Sequence, residues 1–258
     1  MPERIVSNRL EFEKKGIEKI GTRKDKKKRF AIFKDLGVLE YKKALELQTK
    51  TLQAKIDKTI EEDYIFFVEH QCVFTLGRRG GKENLIVSKK FLSERNIDII
   101  QTNRGGNITY HCPGQAVMYP VIDLEKNKIG VKDFVYGLEE IMKLTADDYG
   151  IDVGRNKKNH GIWTGNSKIG SVGIRVKKGI SMHGIALNIN PDLKPFSWIN
   201  PCGLYDISIT SIEKEMGKDC SMESKLNHYD FSMDKVKQSF IKYFSLVFNF
   251  QIVMGNEI

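Results

Sequence analysis

The run Arg104-Gly105-Gly106-Asn107-Ile108-Thr109-Tyr110-His111-Cys112-Pro113-Gly114-Gln115 leads straight into an apolar stretch, Ala116 to Leu124. Glycines bracket a short β-prone run at Ile108–His111. Arg104, Thr109, Tyr110, His111 and Gln115 place hydrogen-bond donors and acceptors within a few residues of one another. Glycine lets backbone approach a ligand closely. The apolar stretch reads as a buried strand that anchors the segment. By pattern alone, two readings stay open: a glycine-rich turn between strands, or a cradle for a polar group.

Outward from this run, strands and helices alternate irregularly. Phe30 to Leu36 reads as a first strand. Tyr41, Leu45, Gln48, Leu52 and Ile56 recur at helical spacing with Lys and Glu between them, which predicts an amphipathic helix over 40–58. Tyr64–His70, Cys72–Leu76 and Ile97–Gln101 are rich in β-branched and aromatic residues and read as strands. Gly77-Arg78-Arg79-Gly80-Gly81 breaks the pattern, and Ser88 caps a short helix over 88–95. Phe134, Leu138, Ile141, Met142, Thr145 and Tyr149 define a second amphipathic helix, closed by Gly150. Val172, Ile174 and Val176 alternate with Gly173, Arg175 and Lys177. With the turn Lys177-Lys178-Gly179 and the return Ile180–Asn190 they predict a β-hairpin. A proline-rich loop follows to Tyr205, and Ser232 caps a last helix carrying Val236, Phe240, Phe244 and Val247. There is no regular βαβ rhythm and no internal repeat. The predicted fold class is α/β in the α+β sense, a mixed sheet with flanking helices.

The 258 residues carry a formal net charge of +9. Residues 1–29 hold 11 Lys or Arg and 5 Asp or Glu, so six of those nine charges sit in a tail. The tail reads as a mobile basic extension, and 30–258 as a single domain. No apolar run approaches ~20 residues and no apolar leader is visible, so neither a membrane span nor a signal peptide is expected. The four cysteines, Cys72, Cys112, Cys202 and Cys220, show no CxxC spacing. They read as free thiols in a reducing cytoplasm.

No HExxH, paired CxxC or EF-hand loop occurs, so no metal is expected. No phosphate loop or dinucleotide fingerprint occurs either. Three residues stand out. Cys202 lies in Pro201-Cys202-Gly203, where a thiolate would need a nearby cation. Lys168 enters an apolar hairpin between glycines, and buried lysines become bases. His183 lies on the return strand and, by pattern alone, reads first as a satisfied core histidine.

Four motifs, in order, resemble the lipoyl(octanoyl) transferase family. They are Arg104-Gly105-Gly106 with Thr109-Tyr110-His111 and Pro113-Gly114-Gln115; Lys168-Ile169 with Ser171-Val172-Gly173 and Arg175; His183-Gly184 with Ala186-Leu187-Asn188; and Pro201-Cys202-Gly203 with Thr210-Ser211. Glu69-His70 and Thr75-Leu76-Gly77-Arg78 match an earlier strand. The resemblance spans about 37–216. It departs at Cys112, where the family usually has glycine, and leaves the basic tail outside.

The resemblance implies the fold of lipoate and biotin protein ligase catalytic domains. It implies octanoyl transfer from octanoyl-acyl carrier protein to a specific lysine of lipoyl domains, those of 2-oxoacid dehydrogenase E2 subunits and of the glycine cleavage H protein. Cys202 would carry the acyl group as a thioester, and Lys168 would activate the thiol and then deprotonate the incoming lysine. Arg104, Gly105, Gly106, Asn107, Ile108, Thr109, Tyr110, His111, Ser171, Val172, Gly173, Gly184, Ile185 and Ala186 would line the substrate, with His183 in support. Backbone around Gly184–Ala186 or Cys202–Gly203 would supply oxyanion donors. No cofactor, nucleic acid or membrane is implied. Two alternatives differ in class: an ATP-dependent lipoate or biotin ligase, which needs a nucleotide site and no cysteine nucleophile, and a binding protein whose basic tail engages nucleic acid or an acidic surface.

Overall fold

The computed structural model describes residues 29–156, 159–200, 207–217 and 230–255. Among the described residues the large sheet has nine strands. Its centre is β2 (Asp63–His70), β6 (Gln115–Val121), β10 (Ile180–Asn188) and β9 (Ser167–Lys177). β2, β6, β10 and β9 run antiparallel in that order. On one flank β1 (Arg29–Leu39) pairs parallel with both β2 and β12 (Phe250–Met254). On the other, β9 pairs with β8 (Gly161–Thr164), which pairs with β7 (Gly154–Arg155). β11 (Ser208–Ile209) pairs parallel with the start of β9, and the short helix α4 (Ile212–Met216) follows it. A small sheet sets β3 (Val73–Leu76) between β4 (Asp98–Gln101) and β5 (Ile108–His111). This is the mixed α/β architecture expected from the sequence.

Both faces of the large sheet are covered, so its central strands read as continuous apolar runs. Side chains still alternate between faces. Ile65, Phe67, Ala116, Met118, Ile185 and Leu187 meet α3 (Val131–Asp147) and α5 (Met233–Phe248) through Phe134, Leu138, Ile141, Phe240 and Phe244. Phe66, Val68, Val117, Tyr119, Met182 and Ala186 face α1 (Tyr41–Ile56). A third cluster of Phe74, Leu76, Ile108, Tyr110, Cys112 and Phe196 packs beneath the small sheet with Leu92 of α2 (Lys89–Ser93). Ser88 and Ser232 cap α2 and α5 as expected, accepting from Phe91 and Lys235 N–H. Among the described residues no helix is long and apolar enough to cross a membrane.

The sequence reading and the structure differ at edges. Arg29, assigned to the tail, is the first residue of β1. β9 begins at Ser167, five residues ahead of the alternation at Val172, because Gly170 hides the period. β8 and β12 fall outside the strands that the sequence predicts: each is four or five residues long, and β12 starts right after α5, where Asn249 turns left-handed at φ 55°.

Candidate active site

A cavity of about 490 Å³ lies between the large sheet and the small one. Its floor follows from strand alternation. Ser171 and Gly173 of β9 stand opposite Ala186 and Gly184 of β10, so small residues share one face. On the other face Val172, Ile174, Ile185 and Leu187 are bulky and pack toward α3 and α5. The sheet is thus hollowed on the α1 side only. Val172 and Ile185 pack with the opposite core, and both also border the cavity. β10 is paired on both sides at Ile185 and Ala186, which leaves these peptides in sheet ladders rather than open as oxyanion donors.

The roof is the Arg104–Asn107 loop. Gly105 N–H donates to Ile174 O at 2.9 Å, joining roof to floor. A Cβ on Gly173 would stand 3.1 Å from Gly105 O, so glycine permits this close approach. Arg104 is buried and locks the loop to β3. Its Nη2 donates to Thr75 O at 2.7 Å and Asn107 O at 2.6 Å, and its Nε donates to Thr75 Oγ1 at 3.2 Å. Gly77, Arg78 and Arg79 N–H groups donate back to Asn107, Arg104 and Gly106 carbonyls.

A neutral polar wall lies beside this loop. His70 Nδ1 donates to Leu39 O, so its Nε2 accepts from the Tyr119 hydroxyl, each at 2.8 Å. His111 Nδ1 pairs with Gln115 Oε1 at 2.7 Å. The ring of Tyr41 lies 5.6 Å from that of His111. His183 sits in β10 with φ 60°, a left-handed conformation unusual for a side-chain-bearing residue. Its N–H donates to Gln48 Oε1 and its Nε2 meets Asn103 Oδ1, while Nδ1 is buried without a hydrogen-bond partner. Burial lowers His70 to about 4 and His183 to about 3, the latter helped by Arg104 and Arg175. Burial, with His70 close by, pushes His111 well below the usual range. Burial raises Tyr41 to about 12 and Tyr119 well above its ordinary value. Every one of these rings is uncharged at neutral pH.

Lys168 also lines the cavity. Its side chain is 3% exposed, its Nζ donates to Asn159 Oδ1 at 2.6 Å, and it lies 5.3 Å from the Trp163 ring centroid. Along β9 the lining runs from Lys168 to Ile174, about 20 Å at ~3.3 Å per residue.

Residues 40–245 match the lipoyl protein ligase A/B catalytic domain family. This chain belongs to that family. An octanoyltransferase of Desulfotalea psychrophila is 46% identical over 187 residues, 72% of this chain and 84% of that protein. One of Caldicellulosiruptor bescii is 40% identical over 224 residues, 86% and 93% of the two chains. A bipartite lipoate protein ligase from Thermoplasma acidophilum has the same fold, with a TM-score of 0.63 at 15% identity over 89% of this chain and 88% of that one.

The lipoyl protein ligase A/B fold gathers most of the residues singled out in the sequence. Arg104, Gly105, Gly106, Asn107, Ile108, Thr109, His111, Lys168, Ser171, Val172, Gly173, His183, Gly184, Ile185 and Ala186 all border the cavity. Tyr110 does not and is a correction: strand alternation turns it to the third cluster, 4.9 Å from Phe74 and 5.4 Å from Phe196. Cys112 also packs there, 2% exposed. Cys202 lies outside the described residues. Tyr41, Arg79, Val117, Tyr119, Val135, Asn159 and His160 line the cavity without having been picked out. Tyr41 reads only as the helix face, whereas Asn159-His160 is a polar pair just ahead of an apolar strand. Among the described residues no group of three or more His, Cys, Asp or Glu is placed to hold a metal ion. A larger open groove of about 890 Å³ beside β4 and α2 contains none of the singled-out site residues.

Proposed function

We propose that this protein transfers an octanoyl group from octanoyl-acyl carrier protein to a specific lysine of lipoyl domains, through a thioester on Cys202. The acceptors are lipoyl domains of 2-oxoacid dehydrogenase E2 subunits and the glycine cleavage H protein, and the reaction runs in the cytoplasm without a cofactor. Residues 30–258 form the catalytic unit and the basic tail is accessory. The observation that carries the reading is the buried Lys168 bordering a cavity hollowed by Ser171, Gly173, Gly184 and Ala186, in a chain whose curated relatives are octanoyltransferases.

The chemistry follows from charge. The Lys168 ammonium favours the Cys202 thiolate. The thiolate attacks the donor thioester carbonyl, the carrier departs as a thiol with the proton that the Lys168 ammonium gives up, and the acyl group rests on sulfur. The acceptor lysine, ordinarily of pKa ~10.4, is protonated and unreactive until Lys168 takes its proton. Its amine then attacks the enzyme thioester, the nitrogen's second proton passes to solvent, and the Cys202 thiolate leaves, giving an amide. Two easier steps replace one harder one, and the donor is already activated, so no ATP is required.

The test is intact-mass spectrometry after mixing with octanoyl-acyl carrier protein in the absence of ATP. One octanoyl adduct, mapped to Cys202 and passed to a lipoyl domain, is expected. Cys202→Ser should lose both adduct and turnover, while Cys72→Ser and Cys220→Ser should keep them. Lipoyl-domain acylation that requires ATP and survives Cys202→Ser would replace this reading with that of a ligase.

A further inference from the structure

Lys168 is held from a helix across the sheet. The Asn159 carboxamide accepts from its Nζ at 2.6 Å, and the Asn159 main-chain carbonyl accepts from Trp163 Nε1 at 3.3 Å. Asn159 lies in the segment entering β8, which Glu139 of α3 pins. Glu139 is buried, its side chain 6% exposed. Its Oε1 accepts from Gly161 N–H at 2.9 Å and lies 3.2 Å from His160 Nδ1, and its Oε2 lies 3.2 Å from Arg155 Nε. Arg155 also pairs with Glu140, and its guanidinium lies 3.8 Å over the Tyr136 ring. Gly161 serves the lysine as well. Its φ is 130°, and a Cβ there would meet Lys168 Cε at 2.8 Å and Gly170 O at 2.2 Å. The bulge where Trp163 faces Lys168 but Ile162 faces Gly170 re-aims this part of β9.

We propose that Asn159 is a positioning residue for Lys168, and that Glu139, by fixing Gly161 and Arg155, holds Asn159 in place. The inference rests on the catalytic role proposed for Lys168. An amide suits this place. A neutral oxygen steers the ammonium toward the cavity yet lets it give up and regain a proton. A carboxylate at the same distance would hold the proton on the lysine. An apolar residue would remove this anchor from the amine, and small misplacements of a reacting group cost large factors in rate.

The experiment follows Lys168 by itself and in turnover. Purified wild type, Asn159→Ala, Asn159→Asp and Glu139→Gln are treated with acetic anhydride across a pH series, and acetylation of Lys168 is quantified by peptide mass spectrometry. The midpoint should move up by about a unit or more in Asn159→Asp. It should move down in Asn159→Ala and, to a lesser extent, in Glu139→Gln. Octanoyl transfer near neutral pH should fall about tenfold or more in Asn159→Ala and Asn159→Asp, with the pH–rate profile displaced in the same directions and KM for the lipoyl domain little changed. Asn159→Gln should recover part of the loss. Coincident acetylation midpoints in wild type, Asn159→Ala and Asn159→Asp would overturn the inference. Shifted midpoints in a protein that moves no octanoyl group would uphold it and instead overturn the function proposed above.

Discussion

At the scale of single residues, the proposed chemistry asks two opposite things of Lys168: a charge beside the thiol, then a free base for the incoming amine. Substitutions separate them. Lys168→Arg keeps a cation but cannot readily deprotonate. It should still load octanoate from the carrier protein onto Cys202 and then fail to pass it on. Lys168→Ala should slow both steps and move the pH dependence of Cys202 alkylation upward. Intact-mass loading and lipoyl-domain acylation, measured side by side, check this; both steps at wild-type rate in both variants would remove the role. Cys112 offers a contrast. Its thiol is pushed up to about 12 by burial, with Cys72 adding to the effect, so it stays protonated and inert. It touches core, not cavity, so Cys112→Ala should cost about 1–2 kcal/mol of stability while transfer stays within a few-fold. A changed acyl preference would place it in the site after all. Placement was legible where one polar side chain stands out from an apolar strand, as at Lys168 and His183, which both border the cavity. Direction was not: Tyr110 lies one residue from Thr109 and His111 yet turns to the other side of β5. The nearness of Asn159 to Lys168 depends on a strand pairing that nothing in the local pattern marks.

Elements make the cavity through a contrast of side-chain size across one pair of strands. Ser171, Gly173, Gly184 and Ala186 face α1, and their neighbours fill the opposite core. That contrast was visible in the sequence as Ser171-x-Gly173 and Gly184-x-Ala186. Its meaning needed the register that puts the four positions together. Helix faces and the caps at Ser88 and Ser232 were legible because periodicity and capping are local. β8 and the first residues of β9 were not, since glycines at 161, 165 and 170 interrupt the alternation that marks a strand. The hollowed face leads to a direct test. Ala186→Phe puts an aromatic ring on the cavity floor, where overpacking costs about 1–3 kcal/mol. The variant should fold, lose octanoyl loading by a large factor, and still react at Cys202 with a small alkylating reagent at close to the wild-type rate. Equal octanoyl loading in the variant would mean that the acyl chain lies elsewhere.

For the whole molecule, burying three histidines beside a cavity ties stability to pH. His70 and His183 are lowered from the usual 6.5 to about 4 and about 3, and His111 is lowered as well, in each case first by burial. Folded, the rings stay neutral; unfolded, they take up protons near 6.5. Between that value and the folded ones the unfolded chain binds more protons, so stability rises with pH across the window. It is full above about 6.5 and is lost progressively as pH falls toward 4 and below. The histidines should dominate the upper part of the window, because exposed carboxylates titrate mostly near ~4. Melting temperature should therefore drop measurably between about pH 7.5 and pH 5, before general acid unfolding sets in. His183→Gln removes one titrating ring and should flatten that slope, whatever it does to the absolute melting point. A slope identical to wild type in His183→Gln, or no fall at all above pH ~5, would show that these rings are not held neutral by the fold.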